Sequence, residues 1–208
     1  MTEVNNISFG ARYECPARVK KRIPLLGLYL PSKASFVSID FRNPNDVIAA
    51  DEICSSWKGA PLLKKLLSDK KCKNIYALTV QRKNFENIEP DKILGFAKMK
   101  KYWTKDGELE YLQVNPNYIN VGDEVVAKPK YKNCGSAILT SLKKFYDRIV
   151  LISVDDEKVG CFYERNDFVK IAGRYCAYIW ERVKSPGEFF GEKYFGGMRE
   201  RMLNFCQK

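Results

Sequence analysis

The stretch Pro129-Lys-Tyr-Lys-Asn-Cys-Gly-Ser-Ala-Ile-Leu-Thr-Ser-Leu142 runs from a polar turn with one glycine straight into an apolar helical pattern. The first N–H groups of a helix have no intrahelical partner, and the helix dipole favours negative charge beside them. Small residues at Gly135 and Ala137 let an anion approach those donors, so the turn reads as a phosphate cradle. A second set lies upstream, where Glu108, Glu110, Leu112 and Val114 alternate along a strand-like segment and are expected on one face. The chain has no histidine, which excludes Ser-His-Asp and Cys-His pairs, His-dependent zinc chemistry and an imidazole proton shuttle. Acid–base work therefore falls to Glu, Asp, Tyr, Cys or Lys. Seven cysteines (Cys15, Cys54, Cys72, Cys134, Cys161, Cys176, Cys206) are scattered without a Cys-x-x-Cys spacing, which argues against a metal site or disulfide framework and points to a reducing compartment.

Lys132-Asn-Cys-Gly135-Ser-Ala137 resembles the pyrophosphate loop of the GNAT acetyltransferase superfamily, Arg/Gln-x-x-Gly-x-Gly/Ala, with Lys in the basic slot. Downstream, Arg148-Ile-Val-Leu-Ile-Ser-Val154 is long enough for a buried strand and too short for a helix of average length. After it, Asp156-Glu-Lys-Val-Gly-Cys-Phe-Tyr-Glu-Arg-Asn-Asp-Phe168 is similar to the family's Asn-x-x-Ala-x-x-Phe-Tyr-Glu-Lys-x-Gly-Phe. Phe162, Tyr163, Glu164 and Phe168 fall on matching positions, whereas Asp156, Val159, Arg165 and Asp167 depart from them. Two motifs in the family's order and spacing carry more than either alone, and the resemblance spans Ile75 to Trp180.

The resemblance implies an α/β (α+β) acyl-CoA-binding fold, a mixed, mostly antiparallel twisted sheet flanked by helices, and acetyl-CoA as cofactor. In such a fold strands four and five splay apart and pantetheine pairs with strand four, here Leu112, Gln113 and Val114. The pyrophosphate would fall to Lys132, Asn133, Cys134, Gly135, Ser136 and Ala137. Glu108 stands six residues before the Val of Val114-Asn-Pro, the place of the base in histone-acetyltransferase-type members, with Glu110 as a second candidate. Tyr163 occupies the slot from which many members protonate the leaving thiolate; a phenol suits this because its pKa lies above that of a thiol. An acyl-cysteine at Cys134 or Cys161 would lack an activating histidine, and the family generally transfers directly. The implied activity is N-acetyl transfer from acetyl-CoA to a primary amine by direct attack. Three acceptor readings stay open: a small amine or protein amine, an aminoacyl-tRNA as in GNAT toxins, or no acceptor at all in a non-catalytic acyl-CoA or nucleic-acid binder.

At 208 residues with 45% hydrophobic content, the chain can bury one sizeable core. Its net charge of +11, from 36 basic against 25 acidic residues, favours polyanions, RNA included, and Lys70 to Lys73 and Lys98 to Lys101 are candidate patches. Ile23-Pro-Leu-Leu-Gly-Leu-Tyr-Leu30 is too short to span a bilayer and does not read as a signal peptide, so a cytoplasmic protein without a membrane partner is expected. Residues 1–34 are expected as an N-terminal extension, 35–183 as the acetyltransferase domain, and 184–208 as a tail ending in a helix over 197–206. Within the domain the patterns predict a strand over Ser35–Phe41, helices over Val47–Ile53 and Gly59–Leu67, and strands over 74–81, 93–103 and 108–114. A hairpin around Gly173 closes it. Strand four is expected at Glu108 to Val114, with 117–128 as an insertion; a stub at Glu124 to Ala127 is the alternative. Acceptors in this fold bind near the positions of Ser55 to Gly59, where Trp57 could stack, and of Gly173-Arg174.

Overall fold

The computed structural model describes residues 11–40, 43–57, 74–102, 105–118, 128–171 and 176–182. Two long strands, β1 (Arg12–Ile23) and β2 (Leu28–Ile39), form a hairpin, followed by helix α1 (Pro44–Ser56). An antiparallel meander continues with β3 (Ile75–Thr79), β4 (Ile93–Lys101) and β5 (Asp106–Val114). The remainder alternates: β6 (Tyr131–Lys132), α2 (Cys134–Leu142), β7 (Arg148–Ile152), α3 (Glu157–Glu164), β8 (Val169–Lys170) and β9 (Ala177–Glu181). Among the described residues the strands make one sheet in the order β6-β1-β2-β3-β4-β5-β7-β9-β8, in which only β5 and β7 run parallel.

Hydrophobic alternation on both sides of the strands divides the core in two. One cluster gathers Phe36, Leu78, Leu94, Met99 and Leu109 under Ile138, Leu139 and Leu142 of α2; the other gathers Val37, Ile75, Phe96 and Ile93 under Ile53 and Trp57 at the end of α1. Trp57 is thereby a core residue, tilted on Phe96 at 5.6 Å, and is filled by packing rather than left open for a substrate. Asp46 anchors the start of α1, accepting the Asp40 N–H at 3.0 Å, and burial pushes its carboxyl up to about 6.

Residues 12–34, expected as an extension, are strands of the sheet, and β2 runs through the expected boundary at residue 34. Basic residues alternate there with small or apolar ones, and Cys15, Ala17 and Val19 are buried beneath α2 while Pro16, Arg18 and Lys20 stay exposed. The parallel ladder identifies β5, not a stub further on, as the strand beside β7. The helix expected over 59–67, the stub at 124–127, the terminal helix and the basic run Lys70 to Lys73 lie outside the described residues.

Candidate active site

The parallel pairing of β5 with β7 covers three residue pairs, Asp106–Arg148, Gly107–Ile149 and Glu108–Val150. Beyond Glu108, β5 continues to Val114 paired with β4 alone, so its other edge carries no strand from Leu109 onward among the described residues. An unpaired edge presents backbone donors and acceptors to whatever lies beside it. Arg148 braces the closed end of the fork, 2.5 Å from Glu181 and 3.7 Å from Asp106.

The alternation expected along β5 does not hold. Lys98 pairs with Tyr111 and Met99 with Leu109, which leaves Glu110 as the extra residue of a β-bulge. The bulge reverses the faces: Leu109 before it and Leu112 and Val114 after it pack on the α2 side, while Tyr111 packs on the α1 side. Glu108, Glu110, Leu112 and Val114 therefore do not share a face, since a one-residue insertion shifts a period of two. Glu108 ends the parallel ladder at the apex of the fork; its Oε2 accepts the Tyr102 hydroxyl at 2.5 Å and lies 3.7 Å from the Lys100 ammonium. Glu110 is exposed and pairs with Lys98 at 2.9 Å, which also engages part of the basic run Lys98 to Lys101. Gln113 accepts the Tyr111 hydroxyl.

Helix α2 starts at the open end of the fork. Asn133 holds a left-handed φ of 63° as its N-cap and makes no side-chain capping bond. The first intrahelical bond is Ala137 N–H to the Asn133 carbonyl at 2.9 Å, so the N–H groups of Cys134, Gly135 and Ser136 precede the helical ladder. The vacant side of Gly135 is used by packing: a Cβ there would stand 2.9 Å from Phe162 Cζ and 3.5 Å from Val114 Cγ2. Ala137 is likewise buried. Lys132 shares a register pair with Lys20, and its ammonium lies 4.2 Å from the centre of the Tyr29 ring. Burial pushes the Cys134 thiol up to about 12, which removes the thiolate a covalent route would need.

Helix α3 is capped by Asp156, whose Oδ1 accepts the N–H groups of Lys158 at 2.7 Å and Val159 at 3.3 Å. Phe162 faces Gly135 and Val114, whereas the Tyr163 ring sits among Phe162, Phe168 and Tyr178 with centroids 5.1, 5.8 and 5.6 Å away. Tyr163 keeps 9% of its surface exposed, and burial, with a smaller contribution from Tyr178, pushes its phenol up to about 12. The structure thus brings Val114, Gly135 and Phe162 together and places Glu108 at the fork's apex; among the described residues no hydrogen bond or ring contact joins Glu108 to Tyr163. Tyr102 and Lys100 were not among the site residues expected from sequence; the β4–β5 register, which pairs Lys101 with Gly107, sets Lys100 opposite Glu108.

The sequence matches no protein-family model and no curated protein. In structure the chain is similar to a GNAT-family acetyltransferase from Bacillus cereus, with 10% identity, a TM-score of 0.48, and 73% of this chain and 99% of that one covered. It is also similar to Ard1 from Thermoplasma volcanium, at 14% identity and a TM-score of 0.41 over 73% and 99% of the two chains. Rv2747 from Mycobacterium tuberculosis, solved in complex with CoA, matches at 17% identity and a TM-score of 0.38 over 62% and 69%. A mostly antiparallel sheet, one parallel pair that opens after three rungs, and a helix starting at the opening are the parts expected of the GNAT fold, and the described residues assemble them.

Proposed function

We propose that the protein is an acyl-CoA-dependent N-acyltransferase that transfers an acetyl group to a primary amine by direct attack. The observation that carries this reading is the edge of β5 at Leu112, Gln113 and Val114, which pairs with no strand among the described residues and ends beside the first turn of α2. An extended amide-bearing chain fits the first, and a diphosphate fits the second. Acetyl-CoA, when bound, would supply an activated thioester.

This chain's own residues would do the rest. The β5 edge at Leu112, Gln113 and Val114 holds the pantetheine arm, and the N–H groups of Cys134, Gly135 and Ser136 meet the pyrophosphate, with Asn133 and Ala137 framing the turn. The Lys132 ammonium rests over Tyr29, so its contribution requires a rotamer change. Glu108, oriented by Tyr102, takes a proton from the incoming amine, directly or through water; Glu110, held by Lys98, is the weaker candidate. Tyr163 donates to the departing sulfur, its hydroxyl making no hydrogen bond among the described residues.

The acceptor is tested by mass spectrometry of acetyl-CoA incubated with amines, peptides or charged tRNA; no product and no thioester consumption over the whole panel overturns the enzyme reading. Cofactor binding is tested at Ser136, at the third helical position, where Ser136→Glu places a negative charge on the first turn that repels a diphosphate there. CoA affinity measured by calorimetry should fall by about tenfold or more, and an unchanged affinity in the folded variant removes the cradle assignment.

A further inference from the structure

Ile23 to Leu30 cannot cross a bilayer, yet it forms the tip of a projecting arm. β3 pairs with β2 only from Ser35 to Ile39, so the hairpin from Arg18 to Lys33 extends past it. The turn at its end is closed by the Gly27 N–H to the Ile23 carbonyl at 3.0 Å, with Gly27 at a φ of 65°. Leu25 is 98% exposed, and Leu26, Leu28 and Leu30 are exposed with it. Four leucines in water on one tip mark a surface that binds something apolar.

The shaft behind the tip is cationic. Arg18 stands directly across from Lys33, and Lys20 directly across from Lys132, both like-charge pairs that weaken a sheet unless anions offset them. Arg22 and Lys130 extend the row, joined by the Arg22 N–H to the Lys130 carbonyl at 2.9 Å. Among the described residues none of these six cations has a carboxylate partner.

We propose that the β1–β2 hairpin docks on an anionic lipid surface, with its leucine tip in the headgroup–acyl boundary and its cations on the lipid phosphates and carboxylates. At a strand rise of about 3.3 Å per residue, Arg22 and Lys20 trail Pro24 by roughly 7 and 13 Å, which is headgroup depth when a tip enters by about 5–10 Å. A nucleic acid would neutralise the shaft as well, but it offers stacking faces and hydrogen bonds, for which exposed leucines have no use. The contact is peripheral: no helix among the described residues is long and apolar enough to cross a membrane.

The test uses the full chain with vesicles of phosphatidylcholine alone or with added phosphatidylserine. Cosedimentation should occur only with phosphatidylserine present and weaken steeply with salt. Leu25→Glu with Leu26→Glu, in an exposed turn, should reduce binding by about a hundredfold, and Lys20→Glu with Arg22→Glu by about thirtyfold. A tryptophan at Leu25→Trp should shift its emission to the blue on the same vesicles. Absence of wild-type binding overturns the proposal. So does wild-type binding by the double leucine variant, since charge alone then acts, and a tRNA gel shift would reassign the surface to nucleic acid. Light scattering that shows a dimer lost in the leucine variant, with no vesicle binding by either protein, would reassign the tip to self-association.

Discussion

At Tyr163 the burial that makes the ring part of the core also fixes its proton. Burial holds its phenol at about 12, so it remains protonated through the working pH range and can give up a proton but not act as a base. Tyr163→Phe should lower turnover by about a hundredfold to ten-thousandfold with CoA affinity unchanged, and the wild-type pH–rate profile should show no tyrosine limb below pH of about 11. Glu108→Gln should lower the rate most at neutral pH and recover as the amine loses its own proton at higher pH. Full activity in the double variant sinks both roles. Glu108 could be nominated from the sequence by its spacing to Val114-Asn-Pro. Its partners Tyr102 and Lys100 could not, because their closeness to Glu108 arises from strand register, six and eight residues away along the chain. The direction of Phe162 was also hidden: adjacent helical residues point about 100° apart, and only the packed partner decides which one faces Gly135.

Strands and helices were read more faithfully than their faces. The meander, α2, β7 and α3 could be placed from periodicity and turn residues, and β5 and β7 lie at the segments expected to flank the cleft. The bulge at Glu110 has no signal in residue type, since Leu109-Glu-Tyr-Leu112 alternates acceptably in either phase. β1 was missed for a different reason, being so rich in exposed cations that its buried positions are only Cys15, Ala17 and Val19, and of β2 only the end from Ser35 was expected as strand. Gly95 shows what holds β5 in place. A Cβ there would stand 2.7 Å from the Gln113 carbonyl oxygen, a backbone atom that cannot swing aside. Gly95→Ala should therefore destabilise the fold by about 1–3 kcal/mol in urea unfolding and weaken CoA binding with it, because Gln113 belongs to the free edge. Unaltered stability would show that β5 shifts freely against β4.

For the molecule as a whole, the charge of +11 is not spread evenly: among the described residues the hairpin from Arg18 to Lys33 and β6 carry cations without carboxylate partners, while Arg12, Lys98, Lys100, Lys143 and Arg148 are paired. The net charge could be counted from composition, but its concentration on one arm depends on β6 joining β1 across more than a hundred residues of chain. The sheet has a second unevenness. Its continuity between the six strands ending at β5 and the three beginning at β7 rests on three residue pairs. Solvent should find this junction first, so amide hydrogens donated across residues 106–108 and 148–150 are expected to exchange faster than those between β3 and β4. A ligand clasped by both arms of the fork would act as a splint, and its binding should slow exchange at the junction before any change is seen in the outer strands. Equal exchange rates with and without CoA would mean that the two parts of the sheet are held together by side-chain packing alone.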